Sequence, residues 1–408
     1  MDFAYALNPY VRDSAAPPIP LAGQWGARFP STPEKPLLNL AQGVPGSPPP
    51  PELQKKLAEA AAEPATTSYG ALQGDEGLRR ALAKNVNGVY GTSSAGEGQP
   101  VTADDIVITA GCNLAFYASM LALARPGDEI ILPSPWYFNH SMTLDQLGLT
   151  LVPLRCQPPN FLPSIEECEI LITPRTKALV LVSPNNPTGA VYPPDLLKQF
   201  AELAEEKKIA LVLDETYRDF LEERPHNLFA ETNWRRYLIH LFSFSKSYAI
   251  PGHRLGAIIA SQPFLTSVYK LMDCIQTCPP RPTQRALEWA IEATRPWREA
   301  TRDELAQRQR VFKELLEGVE GWEVVSGGAY FAYVKHPYAG VPSEVVAKRL
   351  GEYVGVVVLP GTFFSPPFEN VDEDRYIRFA VANVSEETLR LVPARLEELN
   401  KLWPTLQE

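Results

Sequence analysis

Ser243-Phe244-Ser245-Lys246, with Arg254-Leu255-Gly256 beginning eight residues beyond the lysine, puts an amine, a guanidinium and two hydroxyls in one short stretch. An apolar run, Tyr237 to Phe242, precedes it, and another, Ala257 to Ala260, follows. A lysine set between two apolar strands is withdrawn from water, and a nearby cation further disfavours its ammonium form. Such an amine becomes nucleophilic nearer neutral pH and can condense with an aldehyde. Arg254 and the hydroxyls suit a phosphate dianion beside it. A surface lysine in a loop is the plain alternative. A reactive aldehyde joined to a phosphate is what pyridoxal 5′-phosphate (PLP) carries.

Other residues fit the same cofactor. Asp214 ends the apolar run Ala210 to Leu213, and a carboxylate there must be paired or hydrogen-bonded. A protonated pyridine nitrogen is one such partner; an N-cap or a structural ion pair is another. Tyr217, three residues on, could reach the ring's phenolic oxygen or could simply pack. Ser183-Pro184-Asn185-Asn186-Pro187-Thr188-Gly189 follows a second apolar run. Asn186 could donate to a ring oxygen or a substrate carboxylate, although Asn, Pro and Gly also make ordinary turns. Thr109-Ala110-Gly111-Cys112-Asn113 joins a strand to a helix. Its small residues would let a phosphate approach the unpaired amides of a helix N-terminus. Arg378, inside the apolar stretch Tyr376 to Ala380, needs an anion: a substrate carboxylate or an internal Asp or Glu.

The elements that must position these groups alternate. Residues 1–50 read as an irregular arm. Helices are expected over Glu52 to Glu63, opened by Pro51, and over Glu76 to Tyr90, where Leu78, Leu82 and Val86 share a face. Ser93 to Pro100 reads as a polar loop. Apolar runs follow at Asp105–Thr109, Glu129–Leu132, Thr150–Leu154, Lys177–Val182 and Ile209–Leu213, with helices such as Cys112–Ala124 and Asp195–Lys208 between them. Runs that do not alternate belong to strands buried on both faces, hence a mostly parallel sheet. A long helical pattern from Arg281 to Leu316 breaks near Pro296, and Trp322 to Leu402 reads as a smaller α+β unit. Neither G-x-G-x-x-G nor G-K-[ST] occurs, so dinucleotide and P-loop readings lack their fingerprints.

Composition bounds the partners. The 408 residues carry a net charge of −10, which opposes nucleic acid and anionic membrane as partners. No run is long enough to span a bilayer. Met1 to Tyr10 lacks a basic stretch followed by an apolar one, and Leu406-Gln407-Glu408 is not a targeting tripeptide, so a cytosolic location is expected. The five cysteines are odd in number and mostly scattered, as reduced thiols are. Cys274 and Cys278 could share a helix face, but no further His or Cys completes a metal set, so no metal is expected.

In this order the motifs resemble the class I/II aminotransferases, the fold-type-I PLP enzymes related to aspartate aminotransferase. The likeness spans nearly the whole chain: Gly43 in Leu40-Ala41-Gln42-Gly43, Tyr69-Gly70 with Gly74 after it, Thr109 to Gly111, Asn186 to Gly189, Asp214 to Tyr217, Ser243 to Lys246, Arg254 to Gly256, and Arg378. It implies an α/β fold with a mostly parallel central sheet covered by helices on both faces, plus a smaller α+β domain. The implied division is an N-terminal arm at 1–50, a large PLP-binding domain at 51–290 and a C-terminal small domain at 291–408.

The resemblance also implies roles. Lys246 carries the Schiff base and shuttles the substrate Cα proton, Asp214 holds the pyridinium, and Tyr217 and Asn186 bond the ring oxygen. Gly111, Cys112, Asn113, Ser243, Ser245 and Arg254 bind the phosphate. Tyr137 stacks on the ring, with Trp136 as rival if the register slips. Tyr69 reaches the phosphate of a neighbouring subunit, so a homodimer is implied. Arg378 grips the α-carboxylate with Gly43 beside it.

Within the family the chain looks closer to the kynurenine and glutamine aminotransferases, because Trp25 lies 18 residues before Gly43, where that subgroup has a pocket tryptophan. The aspartate enzymes use a second arginine from the partner; counting back from Pro279-Pro280 puts Asp273 there, which weakens aspartate as a substrate. His253, beside Arg254, contacts substrate or merely packs. The implied activity is transfer of an amino group from an L-amino acid to a 2-oxo acid. A PLP-dependent lyase, cyclase or oxidase on the same scaffold is the first alternative, and a non-catalytic PLP-binding domain the second.

Overall fold

Strand residues alternate between faces, and here both faces are apolar. Leu211 and Leu213 join one hydrophobic cluster while Val212 joins another; Leu179 and Leu181 part from Val180 in the same way. A sheet so patterned must be covered on both sides. A computed structural model of the chain describes residues 5–92 and 99–406. Its central sheet has seven strands in the order Ile106–Thr109, Gly256–Ile259, Leu238–Ser243, Ala210–Asp214, Thr176–Val182, Glu129–Ser134 and Thr150–Arg155. All run parallel except Gly256–Ile259, which is antiparallel to both neighbours. The link 244–255 carries only the four-residue helix Phe244–Ser247 and a turn at Pro251–His253, with no helix long enough to cross the sheet, and the chain turns back. That reversal leaves Lys246 and Arg254 at the edge where the parallel strands end.

The helices follow from their own sequences. Glu76–Tyr90 buries Leu78, Leu82 and Val86, one turn apart, each worth about 1.5–3 kcal/mol when fully buried. It stops at Gly91, whose left-handed φ of 69° suits glycine. Pro51–Ala62 starts on proline, which loses no intrahelical bond there. The long helical pattern resolves into Arg281–Ala293 and Arg295–Glu317, parted at Thr294.

A second sheet is antiparallel, in the order Leu359–Pro360, Tyr376–Ala380, Phe331–Lys335 and Glu323–Gly328. Its core takes in Leu38, Leu40 and Ala41 from the N-terminal part, and Leu38–Asn39 pairs in parallel with Val356–Val357. The arm is therefore less irregular than expected, since it contains the helices Pro9–Arg12 and Pro18–Gly26. Among the described residues no helix is long and apolar enough to cross a membrane. Most of the Ser93 to Pro100 loop and both extreme termini lie outside the described residues.

Candidate active site

Five parallel strands bring the turns that follow them to one edge of the sheet. Thr109, Ser134, Val182, Asp214 and Ser243 are strand ends, and the turns after them carry Cys112, Tyr137, Asn186, Tyr217 and Lys246. Ligands of open α/β sheets bind at this edge. A cavity of about 290 Å³ opens there, bounded on the far side by Gln42, Gly43 and Val44 and by Phe331 and Arg378 of the small sheet.

Lys246 sits on the short helix Phe244–Ser247, capped by the Ser243 hydroxyl, which accepts from the Ser245 amide at 3.3 Å. Its Nζ donates to the Gly43 carbonyl at 2.6 Å. Burial first, then Arg378 and Arg254, lower its pKa to about 8. Gly43 must be small, because a Cβ would lie 2.6 Å from the Phe331 ring.

Asp214 is buried with its charge intact. Burial works against that charge, but the hydrogen bond and attraction of His140 and two bonds from Thr216 outweigh it, so its pKa stays below the ordinary value. His140 Nε2 lies 3.2 Å from Oδ2, and Thr216 donates to Oδ1 from its amide at 3.0 Å and its hydroxyl at 2.7 Å. The Cys112 sulfur is 3.9 Å from Oδ1; burial, then Asp214, push that thiol far up, so it stays protonated. Tyr217 is buried beside Tyr330 and Phe331. Burial, then Tyr137, raise its pKa, so it remains a phenol able to donate. Burial, then Asp214, raise Tyr137 to about 12.

Two glycines make a cradle beside these groups. Gly111 has φ 93°, and a Cβ there would sit 2.1 Å from Arg254 Nη2. A Cβ on Gly256 would sit 2.6 Å from the Cys112 amide nitrogen. The helix Cys112–Leu123 thus starts against Arg254, with no side chain capping it. Its first amides have no intrahelical acceptor, and together with the guanidinium they form an anion site.

Arg378 is fully buried without a carboxylate partner among the described residues. Nη1 donates to Asn186 Oδ1 at 2.8 Å and Nη2 to the Ala41 carbonyl, while Nε has no partner. Burial lowers its pKa to about 10, still charged at neutral pH. The internal salt bridge weighed for this residue is absent here, and a guanidinium left this way calls for an anion from outside. An amine, a buried carboxylate, an anion cradle and an unpaired guanidinium on one cavity fit the donors and charges of PLP with an amino acid.

The cavity gathers Lys246, Asp214, Tyr217, Cys112, Asn113, Tyr137, Asn186, Ser243, Ser245, Arg254, Gly43 and Arg378, with Gly111 against Arg254 just behind it. Tyr137, not Trp136, faces it; Trp136 packs into the apolar cluster under the sheet. Two expectations differ, those for Trp25 and for the Cys274–Cys278 pair. Trp25 lies outside the lining, buried in the small-sheet core with its ring stacked at 6.1 Å on Phe363. Ile19 lines the cavity instead: six residues along a helix is a rotation of about 240°, so Ile19 and Trp25 cannot face the same way. Tyr69 is 82% exposed, away from its own chain's cavity. Cys278 lies beyond the end of the helix Gln262–Ile275, so it shares no helix face with Cys274. His253 is exposed and does not line the cavity. Sequence reasoning missed His140, Thr216 and Ile19; His140 lies in the first turn of the helix Phe138–Gln146, just after its N-cap Tyr137, and carries no motif of its own.

The comparisons agree with this geometry. The family model "Aminotransferase class I and II" matches residues 35–396, and the chain belongs to that family. It is an aminotransferase, and the family is PLP-dependent. It is 30% identical to the aromatic aminotransferase ISS1 of Arabidopsis thaliana over 88% of this chain and 89% of that one. It is 31% identical to the arginine–pyruvate transaminase AruH of Pseudomonas aeruginosa, over 74% and 75%. The structure of Thermus thermophilus aspartate aminotransferase with maleate superposes with a TM-score of 0.85 at 28% identity, over 97% of this chain and all of that one. These relatives are named for three different substrates.

Proposed function

We propose that Lys246 binds PLP covalently and that the cavity transfers the amino group of an L-amino acid with a neutral side chain to a 2-oxo acid. The observation that carries this reading is the Lys246 amine, its pKa lowered to about 8 by burial, Arg378 and Arg254, at one sheet edge with Asp214. When bound, the cofactor supplies an aldehyde and an electron-withdrawing ring. Asp214 pairs with the ring nitrogen and keeps it protonated. Tyr217 and Asn186 donate to the ring oxygen, and Tyr137 covers a ring face. The amides of Gly111, Cys112 and Asn113, the hydroxyls of Ser243 and Ser245, and Arg254 hold the phosphate. Arg378 clamps the α-carboxylate with a fork suited to it. Lys246 Nζ takes the proton from the substrate Cα, and the Gly43 carbonyl holds the amine when it is free.

Three cations line the cavity, Lys246, Arg254 and Arg378, and each is already assigned. The remaining wall includes Ile19, Val44, Phe138 and Asn139, and among its described residues this chain adds no further cation there for a second carboxylate. Asp273 is exposed on its helix and adds none. The working unit in this reading is a homodimer, in which Tyr69 reaches the neighbour's phosphate. Residues 51–290 form the cofactor domain, and 1–50 with 291–408 form the smaller one. A cytosolic location belongs to the same reading, supported by cysteines that are all free.

The test is an amino-acid panel with 2-oxoglutarate. Glutamate should form with neutral and aromatic donors and poorly with aspartate. Ammonia, peroxide or a cyclised product without glutamate would overturn transfer in favour of a lyase, oxidase or cyclase.

A further inference from the structure

Residues 276–284 comprise the link after the helix Gln262–Ile275 and the first turn of the helix Arg281–Ala293, and this segment, called the link below, bonds three elements of the proposed phosphate site at once. Gln276 holds the turn before Gly111: its Oε1 accepts from the Ala110 amide at 2.9 Å and its Nε2 donates to the Ile108 carbonyl at 3.1 Å. Thr283 Oγ1 donates to the carbonyl of His253, the neighbour of Arg254, at 3.4 Å. The remainder grips the loop that carries Tyr69. Arg281 Nη1 donates to the Ala65 carbonyl and, at 3.3 Å, to that of Ser68, and its Nε is 3.5 Å from Asp75 Oδ1. Cys278 Sγ accepts from the Gly70 amide at 3.4 Å, and Gln284 Oε1 accepts from the Asp75 amide at 2.7 Å. The contact is close: a Cβ on Gly70 would lie 2.8 Å from Arg281 Nε. Thr277, within the link, holds φ 61°, an outlying conformation for a β-branched residue.

Tyr69 does not line its own chain's cavity, yet the base of its loop is fixed by these bonds. A loop ordered in advance loses less freedom when its tip engages a ligand. We infer that the link is a strap serving two active sites. Gln276 sets the phosphate turn of its own chain, and Arg281 sets the Tyr69 loop offered to the neighbouring subunit. Both are positioning residues, since neither lines the cavity. The Arg281 half rests on the homodimer reading of Tyr69; the Gln276 half stands without it.

The experiment measures retention of PLP and of pyridoxal, which lacks the phosphate, by dialysis of the loaded enzyme. Gln276→Ala and Arg281→Ala should each weaken PLP by about tenfold, the worth of roughly one lost hydrogen bond, and leave pyridoxal unchanged. Equal weakening of both ligands would make the residues merely structural and overturn the inference. Arg281→Lys, which loses the fork but keeps the charge, should show the same phosphate-specific loss if Arg281→Ala does not fold. Hybrid dimers separate the two halves. Each variant chain is paired with a Lys246→Ala chain, and PLP is read on the remaining lysine. The Arg281→Ala defect should vanish there, because the partner supplies an intact loop, whereas the Gln276→Ala defect should persist. Tyr69→Phe in the same hybrid is the control. If it is rescued while Arg281→Ala is not, the strap is wrong; if Tyr69→Phe is not rescued, the cross-subunit reading falls and takes the Arg281 half with it.

Discussion

Asp214 and Glu215 are consecutive carboxylates, both buried and both paired with histidine, and only Asp214 faces the cavity. Glu215 accepts from Tyr90 and lies 2.8 Å from His240 Nε2 and 3.2 Å from His226 Nε2. For both groups burial works against the charge and their partners, histidine first and, for Asp214, Thr216 as well, more than offset it, so both pKa values are depressed. A perturbed carboxylate is therefore not a site by itself. The surroundings differ: Glu215 is enclosed by aromatic rings and Arg218, while Asp214 opens on a space that holds an amine. Two buried arginines repeat the contrast. Arg218 donates to Asn85 at 2.5 Å and sits 3.4 Å from Asp219, whereas Arg378 has no anion among the described residues. The closed cluster spends its polar groups on the fold; the cavity leaves them for ligands.

The sharpest break in this comparison is a pair of substitutions. Asp214→Asn should cut amino-group transfer by about 10²–10³-fold, with a melting temperature near wild type. Glu215→Ala should cost about 3–5 kcal/mol of stability while the folded fraction keeps its kcat. Denaturant melts and steady-state rates measure both, and the reverse pattern would contradict the division. Next, Arg378→Ala should raise KM for amino-acid substrates by roughly 10²-fold with PLP retained. A stability loss at unchanged KM would make it a structural arginine like Arg218.

A smaller contrast concerns the arm. Trp25→Ala should lower stability by about 3–5 kcal/mol and leave substrate preference alone. Ile19→Ala should change KM for large side chains by about tenfold at constant stability. Identical effects from the two would erase the distinction between their faces. Smallest is a pH effect. In protein stripped of cofactor, reaction of Lys246 with PLP should rise through about pH 8, because its amine loses the proton there rather than near the ordinary lysine value of about 10.4. Arg378→Ala removes one of the cations that lower this pKa, so the midpoint should move up; a midpoint that stays fixed would deny that coupling.

Much of this was legible in the chain. The apolar runs marked the sheet because strands buried on both faces leave continuous signals, and Lys246, Asp214 and Asn186 stood where such runs stop. The antiparallel course of Gly256–Ile259 was not readable, since composition carries no direction and a twelve-residue link permits either course. His140 and Thr216 escaped because each acts through Asp214 rather than through a motif of its own. Trp25 misled because a spacing along the chain, taken from a resemblance, says nothing of which helix face turns inward. The contact of Lys246 with Gly43 joins segments about 200 residues apart, and only the folded chain reveals it.

The central claim is the covalent hold of Lys246 on the cofactor. Purified protein loaded with PLP, reduced with borohydride and digested, should yield one pyridoxyl-labelled peptide, the one containing Lys246, and Lys246→Ala should yield none. A label elsewhere, or an equal label in Lys246→Ala, would contradict the account.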